Sequence, residues 1–225
     1  MAVLSAIVVS AIGEVNGRRP EPPRPDDLSD NQRARRDRIV QQAYELLRHR
    51  EYEEIQMRDV AEHAHVALGT LYRYFVSKEH LFAAVLVRWG VALQEQVERA
   101  PLSGDDVPQQ LRDVYSRVID AFERLPQFFR LMVAIETTTD PYARELFEEF
   151  NEAARSSLTA PLVHLEPEQA TAVADVLMAV LGSVLRSWAL GRTSVADARE
   201  RMCRTIDLVF SPPPRRRRTR TPAPG

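Results

Sequence analysis

The sequence predicts an all-α protein of about nine helices, with an N-terminal three-helix segment and a larger C-terminal helical region. Two observations support this fold class. Apolar residues recur at helical spacing along most of the chain, as at Ile39, Ala43, Leu46 and Leu47. The sequence also lacks the alternating apolar and polar runs and the Asn-Gly pairs that indicate strands and hairpins.

The N-terminal part shows four helical segments in succession. Ser29 and Asp30 are good N-cap residues for the first, and Ser77 is one for the fourth. Between them we expect a short helix over about 57–64, a tight break at His65 and Val66, and a third helix over about 67–75. The fourth helix carries a long apolar stripe: Leu81, Val85, Leu86, Trp89 and Leu93.

The C-terminal part shows five further helical segments. Proline opens or immediately precedes several of them, which suits the first turn of a helix. The pattern predicts a domain over 31–80 and a second over 81–210. The five segments are about 108–125, 126–138, 141–158, 167–190 and 194–210.

Both ends of the chain differ in composition from this helical body. Residues 17–27 are rich in proline and charge, so we expect a disordered arm over 1–30. Three prolines and a run of arginines predict a disordered basic tail over 211–225. The apolar start, 1–13, is too short to span a bilayer and lacks the basic opening of a signal peptide. We therefore expect no membrane association.

Charge and cysteine content restrict the function classes. The 225 residues carry a formal net charge of -2, so a DNA-binding surface would require local placement of arginine rather than an overall basic excess. The single cysteine, Cys203, excludes an intrachain disulfide and a cysteine-based metal site. It is typical of a reducing compartment, so we expect a cytoplasmic protein. Lys78 is the only lysine among 30 Lys and Arg residues.

The second and third helices form a helix-turn-helix arrangement, in which the second member would enter the major groove of DNA. Tyr72 and Tyr74 are predicted on the exposed side of this helix, where their hydroxyls can bind phosphates. Lys78 lies in the first turn of the next helix, where its charge adds to the helix N-terminus. The recognition helix opens with small or neutral residues that permit close approach to bases: Ala67, Leu68, Gly69 and Thr70.

These residues carry a specific resemblance. The run 69–75 (GTLYRYF), followed by Ser77, Lys78 and Glu79, resembles the DNA-binding core of the TetR family of bacterial regulators. Val76 is a departure, because many members have proline there. The resemblance implies a homodimer that binds a double-stranded DNA operator, with the last two helices as the dimer interface.

The resemblance also assigns roles to single residues. It implies that Tyr72, Tyr74 and Lys78 hold phosphates, while residues of the recognition helix lie near bases. Arginines 33, 35 and 36 would reach phosphates or the minor groove, although a charge run is equally well explained as a solvated face. The predicted DNA contacts are Arg33, Arg36, Gln56, Arg58, Ala67, Leu68, Gly69, Thr70, Tyr72, Arg73, Tyr74 and Lys78.

The region 108–210 is long enough to enclose a cavity, and the resemblance implies an effector pocket there. Within the family, the DNA-binding segment looks most like the branch of cholesterol-catabolism repressors. This implies release from the operator by a large apolar effector, steroid-like or acyl-CoA-like, whose phosphates would pair with Arg117, Arg124 or Arg130. For each wall residue, ordinary core is the alternative. The candidates are Tyr115, Phe122, Phe129, Met132, Val133, Met178, Leu181 and Leu185.

Two other function classes differ from this one in the sequence features that they require. An enzyme is not expected, because the sequence has no HExxH run, no glycine-rich phosphate loop and no histidines at metal-ligand spacing. We accordingly predict no catalytic residue, no metal and no cofactor. A helical scaffold or small-molecule-binding protein whose helix-turn-helix does not read DNA is the alternative. It would have no need of Tyr72, Tyr74 and Lys78 together on the exposed side.

Overall fold

A computed structural model describes residues 21–99 and 106–211. Within these ranges the regular structure consists of α-helices and three short 3₁₀ helices, with no strand, so the predicted all-α class is confirmed. The nine described α-helices are α1 Asp30–Leu47, α2 Met57–His63, α3 Leu68–Tyr74, α4 Lys78–Arg99, α5 Val107–Arg124, α6 Pro126–Glu136, α7 Pro141–Thr159, α8 Pro167–Ala189 and α9 Val195–Phe210.

The helices begin and end where local signals place them. The Ser29 backbone N–H donates to Oε1 of Gln32 at 3.0 Å, which closes the start of α1. The backbone N–H of His80 donates to Oγ of Ser77 at 2.9 Å, as predicted for the cap of α4. Proline occupies the first turn of α6 and of α8. These interactions join residues within four positions of each other, so the sequence alone predicts the helix bounds.

The predicted arm and tail lie largely outside the described residues, which exclude 1–20 and 212–225. The predicted disorder of the arm stays a prediction, and its described end has regular structure. Pro25–Asp27 forms a 3₁₀ turn, and Leu28 behind it is only 6% exposed. Burial of one apolar side chain anchors this segment just before α1.

The chain forms two compact units. The first lies within Met1–Gln94 and Arg124–Ala154, and the second within Glu95–Glu123 and Arg155–Gly225. The packing of unit one includes residues of α4 beyond position 80. The units are defined by packing and the predicted boundary between residues 80 and 81 by function, so that boundary stays a prediction.

The core of unit one joins the three N-terminal helices to α4 and α6. Ile39, Ala43 and Leu47 of α1 are fully buried, whereas Leu46, predicted for the same face, is half-buried. The ring of Phe128 in α6 lies 5.1 Å from Trp89 of α4 and 5.4 Å from Tyr44 of α1, between ring centroids. Three helices are therefore held by one aromatic cluster.

The core of unit two is built from α5, α8 and α9. Its most buried side chains come from all three helices, and Arg199 of α9 forms ion pairs of 2.6 Å with both Asp120 and Glu123 of α5. Helix α8 is long and apolar enough to cross a membrane, with a mean hydropathy of 1.5, and a third of that window is buried. Core and interface helices share this length and composition. The buried residues include Leu111, Val114, Leu177, Leu181, Val184, Met202 and Ile206.

Candidate DNA-binding surface

The turn between α2 and α3 sets the direction of the recognition helix. His65 has a φ of 53°, in the left-handed region. The N–H of Val66 donates to the carbonyl of Ala61 at 3.0 Å, and that of His65 to Glu62 at 3.1 Å. This pair of bonds is the Schellman ending of a helix. It turns the chain within two residues, and α3 starts directly after it.

Helix α3 has one buried and one exposed face. Leu71 is fully buried and Tyr74 is 2% exposed, whereas Tyr72 is 42% exposed. The prediction that Tyr74 lies on the exposed side is therefore wrong. Residues two apart on a helix are separated by about 200°, so Tyr72 and Tyr74 point in nearly opposite directions, while positions 71 and 74 share a face.

The other predicted residues of α3 lie on or beside its exposed face. Ala67, Gly69 and Arg73 are exposed, and Leu68 and Thr70 are half-buried. An added Cβ at Gly69 would meet no atom within 4 Å. The outer surface of the first turn of α3 is therefore smooth, and its backbone can approach a flat partner closely.

An open groove of about 680 Å³ runs beside this face. Two predicted contacts at the start of α2, Gln56 and Arg58, are exposed there. The groove brings together the start of α2, the outer face of α3 and the start of α4. Its lining residues are Gln56, Met57, Arg58, Asp59, Leu68, Tyr72, Val76, Ser77, Lys78 and Glu79.

Lys78 is the first residue of α4 and stands at the edge of this groove. Its Nζ lies 4.1 Å from the centroid of the Tyr52 ring and donates to the carbonyl of Glu53 at 3.4 Å. Partial burial lowers the pKa of Lys78, and the nearby carboxylates of Glu53 and Glu79 oppose that shift. The ammonium and the N-terminus of α4 thus lie together, the combination that binds phosphate in proteins.

The carboxylates in the groove are engaged by neighbouring groups. Asp59 accepts hydrogen bonds from the backbone N–H of Gln56 at 3.0 Å and from Nη1 of Arg50 at 3.2 Å. Both bonds lower the pKa of Asp59, and the bond from the Gln56 backbone has the larger effect. The hydroxyl of Tyr52 donates to Oε1 of Glu79 at 3.5 Å.

The three arginines at the start of α1 differ in their surroundings. Arg33 and Arg35 are exposed, and Arg36 is half-buried with its Cζ 5.0 Å from the centroid of the Phe75 ring. Burial lowers the pKa of Arg36. Phe75 directly follows the last residue of α3, so Arg36 packs against the C-terminal end of the recognition helix.

Two further contacts of unit one were not anticipated from the sequence. Tyr52 lies under Lys78, and the buried His80 stacks on Tyr142 of α7 with ring centroids 5.4 Å apart. For the contact between Tyr52 and Lys78, the sequence offered one signal, which is the presence of an aromatic residue in the short connection between α1 and α2. The contact between His80 and Tyr142 joins positions far apart in the chain, and the helical pattern of the sequence does not predict it.

The candidate effector-pocket residues belong to two different units. Tyr115, Phe122, Leu181 and Leu185 are buried and Met178 is half-buried, all in unit two. The others, in unit one, are the buried Phe129 and the half-buried Met132 and Val133. Their role as pocket wall stays a prediction.

Two of the arginines predicted to pair with effector phosphates have hydrogen-bond partners within the protein. Arg130 donates to Glu51 at 3.2 Å, and Arg117 donates to the carbonyl of Val97 at 3.0 Å. The Tyr115 hydroxyl is buried without a hydrogen-bond partner among the described residues, beside a cavity of about 10 Å³ within unit two. That volume suits one water molecule. In the described part of the chain, no group of three or more His, Cys, Asp or Glu residues is placed to hold a metal ion.

Comparisons with known proteins agree with this geometry. Residues 39–85 match the family of bacterial regulatory proteins of the tetR family, and residues 104–209 match the tetracyclin repressor-like C-terminal domain. The HTH-type transcriptional repressor KstR of Rhodococcus jostii is 33% identical over 193 residues, which cover 85% of this chain and 90% of that protein.

Solved structures show the same fold. A TetR transcriptional regulator from Rhodococcus sp. RHA1 superposes with a TM-score of 0.70 and 28% identity, covering 81% of this chain and 98% of that one. FadR of Thermus thermophilus, a TetR-family repressor solved with lauroyl-CoA, gives a TM-score of 0.62 and 23% identity, covering 84% and 99%. The chain belongs to the TetR family of bacterial regulators.

Proposed function

We propose that this protein is a transcriptional repressor that binds an operator through α3 and is released by a large apolar effector. The observation that carries the proposal is the groove beside α3, where an exposed tyrosine and the sole lysine flank a smooth helix start. The relative from Rhodococcus jostii is named a transcriptional repressor, which supports repression rather than activation.

In this proposal α3 enters the major groove. Leu68, Gly69 and Thr70 approach base edges with Arg73 at the groove rim, while Tyr72 and Lys78 bind phosphates on either side. Phosphate contacts position such a protein, and base contacts give its sequence preference. Gln56 and Arg58 extend the contacts along the backbone, and Arg33 reaches toward the neighbouring groove. Tyr74 stabilises the packing of α3 and does not contact DNA.

The proposed assembly is a homodimer through α8 and α9. Large apolar side chains are exposed on or beside these helices: Val176 is 47% exposed, Leu190 59% and Leu208 76%. A dimer interface accounts for this surface and for the apolar character of α8. Two recognition helices about 34 Å apart would reach successive major grooves on one side of the duplex.

The proposed effector is steroid-like or acyl-CoA-like. FadR of Thermus thermophilus, which shares the fold, was solved with lauroyl-CoA. The DNA-binding segment resembles the branch of cholesterol-catabolism repressors, which supports a similarly large apolar molecule. Effector binding would favour a conformation with weaker DNA affinity, and a coupling of about 1–3 kcal/mol reduces that affinity roughly 5–150-fold.

Binding of the protein to DNA from immediately upstream of its own gene tests the proposal. Fluorescence anisotropy at two salt concentrations should show tight, salt-sensitive binding that saturates at two or four chains per site. Tyr72→Ala should weaken binding to this DNA strongly, because it removes a phosphate contact that positions the protein. Equal, weak binding to both duplexes by the unmodified protein would contradict the assignment of this fragment as the operator, and failure on genome-wide selected fragments would overturn the function.

The same complex serves as the effector assay. Lauroyl-CoA and a steroid acid are added to the preformed complex, with free coenzyme A as the matched control for the nucleotide part. Loss of anisotropy with one apolar compound and not with coenzyme A supports the effector class. Unchanged binding, together with an unchanged melting temperature, with every apolar compound would overturn it.

A further inference from the structure

Tyr52 and Lys78 come from separate elements and meet at the edge of the groove. Tyr52 begins the 3₁₀ turn Tyr52–Glu54, and Lys78 begins α4. The Lys78 Nζ is 4.1 Å from the ring centroid, within the distance of a cation–π contact. One side of the ammonium therefore rests on an aromatic face.

The Tyr52 ring is itself held in place. Its edge meets the ring of Phe82 at 5.2 Å between centroids and an interplanar angle of 79°, and Phe82 is fully buried in α4. Its hydroxyl donates to Oε1 of Glu79 at 3.5 Å. Both of these contacts join Tyr52 to α4, the helix that carries Lys78.

The 3₁₀ turn that carries Tyr52 is secured from two further sides. Nη2 of Arg50 donates to the carbonyl of Glu54 at 2.8 Å, and Nη1 of the same arginine donates to Asp59 of α2 at 3.2 Å. From α6, Nε of Arg130 donates to Glu51 at 3.2 Å. The position of the ring is thus tied to three helices of unit one.

A lysine side chain on a protein surface loses conformational entropy when it binds a phosphate. Fixing its long side chain costs rotamer entropy. A ring that restricts the ammonium before DNA arrives removes part of this cost. Lys78 is the only lysine in the chain.

We propose that Tyr52 is a positioning residue for DNA binding, whose ring holds the Lys78 ammonium ready for a backbone phosphate. The inference rests on the proposed function, because it assigns Lys78 a phosphate contact. Tyr52 acts through Lys78 and does not touch the base edges.

The unique lysine permits a direct test of the geometry without DNA. Protein labelled with ¹³C-lysine should show one ε-CH₂ signal, displaced by the ring current of Tyr52. The displacement should persist in Tyr52→Phe, which keeps the ring, and disappear in Tyr52→Leu. A wild-type signal at the position of a solvated lysine, or one that Tyr52→Leu does not move, would overturn the inference.

The second test measures binding to a mixed-sequence duplex of about 30 base pairs, because phosphate contacts do not depend on sequence. Lys78→Ala should lower the slope of log affinity against log salt by about 1. Tyr52→Leu should weaken binding about 3–10-fold, and Tyr52→Phe should leave most of the affinity, as expected for loss and retention of a cation–π contact.

The decisive comparison introduces Tyr52→Leu into the Lys78→Ala protein. If Tyr52 acts through Lys78, the second change has no further effect on affinity. An equal weakening in both backgrounds means that Tyr52 acts through the fold, and the inference fails. Thermal melts identify a variant that does not fold, in which case Tyr52→Met replaces Tyr52→Leu.

The outcomes separate the two proposals. If the wild type shows no salt-dependent binding to any duplex, the proposed function fails and the role of Tyr52 in DNA binding fails with it. If Lys78→Ala weakens binding but Tyr52→Leu does not, the proposed function stands and the positioning role is wrong.

Discussion

His80 of α4 and Tyr142 of α7 stack with their ring centroids 5.4 Å apart and their planes inclined by 27°. The ring of Phe75, at the end of the recognition helix, meets the imidazole edge-on, with ring centroids 5.2 Å apart. His80 is 7% exposed, and its Nδ1 accepts a hydrogen bond from the backbone N–H of Val76 at 3.4 Å. A buried imidazole thus packs between α7 and the end of α3.

This burial predicts a pH-dependent stability. Burial, chiefly, and the charge of Arg36 lower the pKa of His80 to about 4, against the opposing effect of Asp140. As the pH falls below the unfolded value of about 6.5, the unfolded chain binds a proton that the folded chain does not, so stability is lost. The loss from this group between pH 7.5 and 5 should be roughly 2 kcal/mol.

Denaturant unfolding at the two pH values checks this, at one protein concentration because the protein is proposed to dimerise. His80→Leu should remove about this much of the pH dependence. The exposed His49 offers a matched control, since His49→Gln should leave it intact. The same pH dependence in His80→Leu as in the wild type would assign it to other groups.

Tyr72 and Tyr74 should respond oppositely to replacement. Tyr74→Ala removes a buried ring and should lower the free energy of unfolding by roughly 3–5 kcal/mol. Tyr72→Ala should change stability by less than about 1 kcal/mol, as is usual for an exposed side chain, and should weaken operator binding. Urea unfolding and anisotropy on both variants test the pair. Strong destabilisation by Tyr72→Ala would contradict the assigned faces of α3.

Gly69→Ala should separate stability from binding. The new Cβ meets no protein atom within 4 Å, and alanine is favoured over glycine in a helix by up to about 1 kcal/mol. The same methyl group would stand between α3 and the base edges. We therefore expect a more stable protein whose operator affinity falls at least about tenfold, equivalent to one lost base contact of about 1–3 kcal/mol. Undiminished affinity would show that the start of α3 does not approach the bases.

Gly90 marks a close contact in unit one. A Cβ at this position would lie 2.8 Å from two ring carbons of Phe150, which is nearly buried in α7. Gly90→Ala should therefore destabilise the protein by about 1–3 kcal/mol, since the ring must move. Gly69→Ala in α3 is the matched control, because its Cβ also meets nothing within 4 Å. A Gly90→Ala protein more stable than the wild type would show that the Phe150 ring can move aside without loss of packing energy.

Prediction succeeded where the signals were local and regular. Helix starts at Ser29 and Ser77 and the tight break at His65 and Val66 depend on neighbouring residues, and the structure has them where expected. The error at Tyr74 was of a different kind. Its burial follows from the same helical period that places Leu71 inside, since positions 71 and 74 share one face of α3.

The sequence by itself determined the all-α class, the helix bounds and the family, because capping, periodicity and a specific motif act over a few residues. Tertiary structure alone decided which rings meet which charges. Tyr52 under Lys78, Arg36 on Phe75 and His80 against Tyr142 join elements that are distant in the chain. Such pairings depend on how whole helices pack, and no local pattern encodes the packing of one helix against another.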